Sequence, residues 1–329
     1  MSERIRLAHG GGGTLMQRLI AEELLPLYGE APPWLHDAAR LEIPSGRLAF
    51  TTDGYVVQPL EFAGGDIGSL AVTGTANDLA MAGARPLHLS VGLILEEGLE
   101  LDLLRRLVAS MGRAARQCGI TIVTGDTKVV ERGKGDGVFI TTSGVGVVEA
   151  DSPIDPSAIE AGDVLLVSGD LGRHGVAILA ARHDLRLDPP LESDCAPLWP
   201  RVAALLQRGV RLHCLRDLTR GGLASALQEL AVVAGLEFQL EEERIPVTAP
   251  VARICDLLGF DPLHLANEGR FVAVLPAEAA DAALEVLEPL GGVCIGTVGQ
   301  GPPRVLLRTP FGSERVLVPL SGELLPRIC

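Results

Sequence analysis

The apolar positions of this chain repeat with two periods that keep changing places. Short runs dense in Val, Ile, Leu and Phe mark strands. Longer stretches with apolar residues three or four apart mark helices. After a glycine-rich start, "LMQRLIAEELLPLYG" predicts a helix. "RLAFTTDGYVV" predicts a strand, "LAVTGTANDLAMAG" a helix closed by glycine, and "PLHLSVGLIL" a strand. "ELDLLRRLVASMGRAARQCG" predicts an amphipathic helix with glycine at its end. "ITIVTGD" and "VFITTSGVGVV" predict strands joined by the polar turn region "ERGKGDG".

"EADSPIDPSAIEAGD" is rich in proline and acid and has no periodicity, which places a domain boundary there. The alternation then resumes. Strands are predicted at "DVLLVSGD", "VRLHCLRD", "LEFQLEEERIPV", "GRFVAVLP" and "GVCIGTVG". Helices are predicted at "RHGVAILAARH", "APLWPRVAALLQRG", "RGGLASALQELAVVAG", a short stretch ending near 258, and "AEAADAALEVLEPLG". Residues 303–318 predict a closing hairpin, and the last ten residues show no period. The expected organisation is a lead-in and helix over 1–38, one domain over 39–150, a second over 151–318, and a tail over 319–329. Such alternation implies an α/β or α+β fold with helices covering sheets.

Composition narrows the function. A chain of 329 residues suits two domains, and 47% hydrophobic residues with only 3% aromatic ones imply aliphatic cores. A net charge of −14 argues against nucleic acid or an anionic membrane as partner. No apolar run approaches the ~18 residues of a membrane span, and the start has no apolar signal core. A soluble cytoplasmic protein is expected. Cysteines 118, 195, 214, 255 and 294 lie in apolar segments and read as small buried hydrophobes. Cys329 ends "ELLPRIC", where an exposed thiol is a liability unless it is used. Only Lys128 and Lys134 among 28 basic residues are lysines. Lys128, in "IVTGDTKVV", is therefore a candidate for a compact point charge that arginine does not replace.

Several predicted strands end on aspartate: Asp53, Asp126, Asp170 and Asp217. Aspartate is an ordinary turn residue, but its repetition at strand ends suits a ligand site in an open α/β sheet. Asn77 and Asp78 in "GTANDLAMAG", and Asn267 and Glu268 in "HLANEGRF", are polar residues in apolar settings. Clustered carboxylates suit Mg²⁺ bridging a phosphate ligand. Lys128 and the backbone of "HGGGGT" (Gly10, Gly11 and Gly12 among it) would meet the phosphates. The sequence contains neither a Walker-type nor a Rossmann-type glycine motif.

Together, "HGGGGT", "FTTDGYVVQPLEFAGGDIGSLAVTGTANDLAMAGARP", "GDTKVV", "GDLGRHGVAILAAR", "RDLTRGGLASALQELA", "NEGRFV" and the terminal "PRIC" resemble the HypE family of hydrogenase maturation proteins. That family lies in the ATP-using superfamily of aminoimidazole ribonucleotide synthetase, selenophosphate synthetase and thiamine monophosphate kinase. The resemblance spans essentially the whole chain, and the terminal Pro-Arg-Ile-Cys narrows it within the superfamily. It implies a two-domain aminoimidazole ribonucleotide synthetase-like fold. The N-terminal sheet would pair with that of a second copy in a homodimer barrel, beside a ferredoxin-like α+β C-terminal domain and a flexible tail. It implies ATP and Mg²⁺ in the cleft between domains. It also implies carbamoylation of Cys329 by the carbamoyltransferase HypF, dehydration to a thiocyanate, and delivery of cyanide to iron on a HypC–HypD scaffold.

Carried onto this sequence, the chemistry assigns Asp53, Asp78, Asp126 and Glu268 to Mg²⁺ and phosphate. Lys128 is the phosphate charge, and Asn77, Asn267 and Asp217 are further nucleotide-side candidates. Asp78 and Glu268 both stand as candidates for the base that takes a nitrogen proton, and His174 is open between a catalytic and a structural role. Two rival readings are a small-molecule kinase or ligase of the same superfamily and a non-catalytic scaffold that presents Cys329.

Overall fold

Thirteen strands and nine α-helices are formed by the residues that the computed structural model describes, which are 3–11, 13–28, 38–185, 187–188, 190–318 and 327–328. The first sheet has the order β1-β6-β4-β5, from β1 (Leu48–Tyr55), β4 (Ala84–Glu96), β5 (Thr121–Val130) and β6 (Val138–Val148). A small hairpin, β2 (Glu61–Phe62) with β3 (Gly65–Asp66), precedes the first long helix. The predicted N-terminal helix is helical from α1 (Thr14–Arg18) to α2 (Leu25–Tyr28), but Leu19–Leu24 between them is π-helical.

Two helices cover one face of this sheet. The α3 helix (Ile67–Met81) starts where Asp66 accepts from the Ser69 N–H at 2.9 Å while the Ser69 hydroxyl accepts from the Asp66 N–H at 3.0 Å. This reciprocal cap satisfies two donors that a helix start leaves open. Nearly every α3 residue is buried, as expected of a helix with no polar stripe. The amphipathic α4 (Leu101–Cys118) turns only its apolar side inward and ends on Gly119 in the left-handed region, φ 67°. The other face of the sheet is open, and on it Leu48 and Phe50 of β1 are exposed, Phe50 by 70%.

The second sheet has seven strands in the order β13-β12-β9-β11-β7-β10-β8. They are β7 (Asp163–Val167), β8 (Cys214–Asp217), β9 (Glu237–Glu241), β10 (Phe271–Pro276), β11 (Val293–Gly299), β12 (Arg304–Arg308) and β13 (Glu314–Leu317). The central β7 and β10 are buried at every residue. Both their faces must therefore be covered, which explains why they read as unbroken apolar runs. One face packs on α7 (Gly222–Ala234), and the other on α6 (Trp199–Gln207) and α9 (Ala280–Leu287). The α5 helix (Arg173–Arg182) and α8 (Ala249–Leu258) pack together at the side.

The cores interlock. The cluster under the first sheet also takes in Ile178, Ala266 and Ile328 from the second half. Ala80 and Met81, at the end of α3, belong to the cluster under the second sheet. Cys118, Cys214 and Cys255 are buried, and Cys195 and Cys294 partly so.

Two of the expected strand ends are not ends. Asp53 pairs in register with Thr142, and the ladder runs on through Gly54 and Tyr55. Asp126 pairs with Gly92, and β5 continues to Val130. The Asp-Gly and Gly-Asp pairs resemble turns locally, but hydrogen bonds to the neighbouring strands carry the backbone through them. Asp217 does close its strand, and Asp170 lies beyond β7.

Candidate active site

The β1 ladder turns Thr51 and Asp53 toward α3, because alternate residues of a strand share a face. The Thr51 hydroxyl donates to Oδ2 of Asp78 at 2.9 Å. The Asp53 carboxylate accepts from the Gly54 N–H at 2.8 Å. Asp217, at the end of β8, and Glu268, in the loop before β10, join them from the second half. These carboxylates repel one another. Burial first, then the charges of Asp217 and Asp53, push the Asp78 carboxyl up to about 7. Burial first, and Asp53 among the neighbouring charges, raise Asp217. Burial, followed by Asp194, Asp217, Asp53 and Asp78, pushes Glu268 well above the usual carboxylate range.

Glu268 is held by its backbone, leaving its side chain unpaired. The Asp194 carboxylate accepts from the N–H groups of Glu268 and Gly269, each at 3.1 Å. Asn77, from α3, donates to the Glu268 carbonyl at 3.2 Å and to the Ala196 carbonyl at 3.1 Å, and accepts from the Leu198 N–H at 2.8 Å. Gly269 is required here, because a Cβ would stand 1.9 Å from the Asp194 carbonyl oxygen. Oε1 of Glu268 is buried with no hydrogen-bond partner. An unsatisfied buried carboxylate oxygen is costly, and such groups collect at functional sites.

Asn267 is tied to the surrounding loops. Its Oδ1 accepts from the Gly172 N–H at 2.7 Å, and its Nδ2 donates to the carbonyls of Leu218 and Leu265 at 3.2 and 3.0 Å. Both amide protons of Asn77 are likewise engaged by carbonyls. The two asparagines tie the loops of the site together. Asp170 forms ion pairs with Arg173 and Arg270, which shapes the loop after β7.

A second group lies on β5. Lys128 Nζ meets Oδ2 of Asp126 at 2.6 Å, and both side chains are mostly exposed. That hydrogen bond leads the causes that hold Asp126 below the usual carboxylate range. The 3₁₀ turn Leu7–Gly10 lies against the same strand, so that a Cβ on Gly10 would stand 2.8 Å from the Val129 nitrogen. Gly11 follows in that turn, with its N–H directed at the Ala8 carbonyl. Gly12 lies outside the described residues.

The two groups are apart within one chain. Asp53 and Asp126 stand on the two edge strands, three strand spacings or about 14 Å from each other. They also point to opposite faces: Asp53 is paired with the buried Thr142, and Lys128, two residues from Asp126, with the exposed Ile94. Among the described residues, no three His, Cys, Asp or Glu side chains are arranged to hold a metal by themselves. Within one chain, therefore, Asp126 stands apart from Asp53, Asp78 and Glu268.

Cys329 lies outside the described residues, but the residue before it does not. Ile328 is 6% exposed and belongs to the core cluster that also holds Ala266, two positions before Glu268. His174, fully buried on α5, directs Nε2 to the Ile328 carbonyl at 2.7 Å. Sequence reasoning missed Thr51 and Asp194. Neither stands out, because a threonine in a strand and an aspartate in the aperiodic "LESDCAP" are both ordinary.

Comparison with known proteins places the whole chain. Residues 35–148 match the AIR synthase related protein family in its N-terminal domain, and residues 160–307 match its C-terminal domain. Carbamoyl dehydratase HypE of Rhodobacter capsulatus is 51% identical over 337 positions, spanning 99% of this chain and 98% of that protein. This chain belongs to the HypE family. A crystal structure of the hydrogenase maturation protein HypE in complex with ATP superposes with a TM-score of 0.94 at 45% identity, over 98% of this chain and 99% of that one. A chain from a HypE–HypF complex superposes with a TM-score of 0.80 at 38% identity, over 94% of this chain and all (100%) of that one. The HypE fold, mixed α/β in two parts, is thus present over 98% of this chain.

Proposed function

We propose that this chain uses ATP to remove water from an S-carbamoyl group on Cys329, giving a thiocyanate whose cyanide becomes a ligand of the [NiFe] hydrogenase centre. The observation that carries this reading is the buried Glu268 oxygen with no partner, in a loop linked to the Ile328 carbonyl through Asp194, Ser193 and His174. In the first step the carbamoyl oxygen attacks the γ-phosphorus, ADP leaves and one of the two nitrogen protons is released to solvent, giving an imidate phosphate. In the second step a base takes the nitrogen proton, the C–O bond breaks, and phosphate departs with the oxygen, leaving S–C≡N. Glu268 suits the base, since burial and the neighbouring carboxylates raise its affinity for a proton. Asp78, whose Oδ2 is engaged by Thr51, suits the phosphate side.

The donor set fits Mg²⁺. Asp53, Asp78, Asp217 and Glu268 offer hard oxygens whose mutual repulsion a dication relieves, and Mg²⁺ needs only one or two carboxylates when phosphates supply the rest. Bound there, it would neutralise charge on the phosphate oxygens. Lys128, held by Asp126, and the Gly10–Gly11 turn suit the nucleotide phosphates. The open, partly apolar face with exposed Leu48 and Phe50, and the position of β1 and β5 at the two edges of the sheet, support a homodimer in which β5 of one copy approaches β1 of the other. The family resemblance supports HypF as the source of the carbamoyl group and a HypC–HypD complex as acceptor of the cyanide. No described helix is long and apolar enough to cross a membrane, and a cytoplasmic location suits this chemistry.

Intact-protein mass spectrometry tests the reading. Mg-ATP added to carbamoylated chain should lower its mass by one water, and Cys329→Ala should abolish both loading and loss. A mass that stays constant in the loaded wild type, or a change that persists in Cys329→Ala, overturns it.

A further inference from the structure

Arg327 and Ile328 are held from several sides. The Arg327 carbonyl accepts from the Gln58 N–H at 3.2 Å and from the Arg182 guanidinium. Arg182 also donates to the Gln58 carbonyl at 2.7 Å, which ties the two arms of this grip together. The Arg327 guanidinium pairs with Asp136, in the turn between β5 and β6. The Ile328 side chain is buried, and its carbonyl accepts from His174. Arg327 adopts φ 55°, a left-handed conformation uncommon outside glycine.

The His174 ring is itself fixed. A carbonyl only accepts, so Nε2 carries the proton and Nδ1 accepts from the Ser193 hydroxyl at 2.9 Å. The Ser193 oxygen in turn accepts from the Cys195 N–H at 3.2 Å. Phe62 meets the ring edge-to-face, with centroids 5.4 Å apart. Burial holds the ring below its usual pKa, in keeping with a neutral imidazole. Asp194, which positions Glu268, follows Ser193 directly.

We propose that Gln58, Asp136, His174 and Arg182 form a docking clamp for the dipeptide Arg327–Ile328, and that this clamp sets where Cys329 is presented to the site. Three of the four, Gln58, Arg182 and His174, read backbone carbonyls and so place the chain whatever is attached to Cys329. Asp136 reads the charge of Arg327, and the core cluster in which Ile328 is buried reads its shape. The clamp draws on both halves of the molecule, so a docked dipeptide also bridges them. This assignment rests on Cys329 carrying the reacting group, and its test does not.

The test follows the alkylation rate of Cys329 in the full chain by peptide mass mapping with iodoacetamide, without nucleotide. Asp136→Arg and Arg327→Asp should each speed alkylation about threefold, the scale of one half-exposed ion pair. The double variant, with the charges exchanged, should return to within about twofold of the wild type, a rescue that a general loosening of the fold does not produce. His174→Ala should speed alkylation about tenfold, the scale of one buried hydrogen bond. His174→Gln, which keeps a donor, should lie between His174→Ala and the wild type. Unchanged alkylation in both Asp136→Arg and His174→Ala overturns the clamp, as does a charge exchange that fails to restore protection. If the clamp variants behave as expected and loaded wild type loses no water, the dehydratase reading fails and the clamp stands.

Discussion

Thr51 and Asp78 face each other across β1 and α3, the hydroxyl donating to Oδ2 at 2.9 Å. That bond favours the charged carboxylate, yet burial and the neighbouring carboxylates outweigh it and raise Asp78 from 3.8 to about 7. A group that binds its proton more tightly when folded stabilises the fold below its unfolded pKa and loses that contribution as pH rises through its folded pKa. The ligand-free chain should therefore lose stability between about pH 4 and pH 7. Asp78→Asn should flatten this slope by at most about 1.4 kcal/mol per pH unit, as read by urea unfolding across the range. Thr51→Val should move the window upward.

Glu268→Gln replaces a repelled carboxylate by a neutral isostere. Loss of a general base should slow water loss from the carbamoylated chain by about 10²–10⁴-fold, as followed by intact mass. The same variant should melt at a higher temperature than the wild type without ligand, because the buried charge and its repulsion from Asp194 are gone. A lowered melting temperature together with full activity would exclude Glu268 from the chemistry.

Gly269→Ala and Asn77→Ala test the scaffold behind Glu268. The first drives a Cβ into the Asp194 carbonyl oxygen, 1.9 Å away. The second strips partners from the Glu268 and Ala196 carbonyls and the Leu198 N–H. Each should cost about 2–4 kcal/mol of unfolding free energy. Serine at 77 should not rescue, since it cannot span three backbone groups.

Asp126 and Glu268 lie in groups that one chain keeps apart, which gives a complementation test. Asp126→Asn and Glu268→Gln should each be inactive alone. Mixed after dissociation and reassociation, they should recover about a quarter of wild-type activity, since half the dimers are mixed and each has one intact site. Phe50→Asp, on the open sheet face, should shift the chain to monomer in sedimentation and prevent this recovery.

The element pattern was readable because each period matches a burial pattern. The alternation in β1 follows its single covered face, and the unbroken apolar run of β10 follows its two covered faces. Asp53 and Asp126 misled because a local Asp-Gly or Gly-Asp signal carries no trace of the neighbouring strands that keep the ladder going. Glu268 was legible as an acid in an apolar setting. Asp194 was not, since its role depends on N–H groups 74 and 75 positions away. Asn77 and Asn267 stand out in the sequence as polar residues in apolar settings, but the backbone groups they bind belong to loops that only the packed fold brings together.

The interlocked cores constrain how a ligand can get in. Parting the two halves like a book would strip Ile178 and Ala266 from one interior and Ala80 and Met81 from the other, all in a single motion. A rigid-body hinge is thus the least economical gate for this molecule. A route that leaves both cores packed would instead pass by the Arg327–Asp136 pair, the buried Ile328 side chain and the Leu7–Gly10 turn against β5.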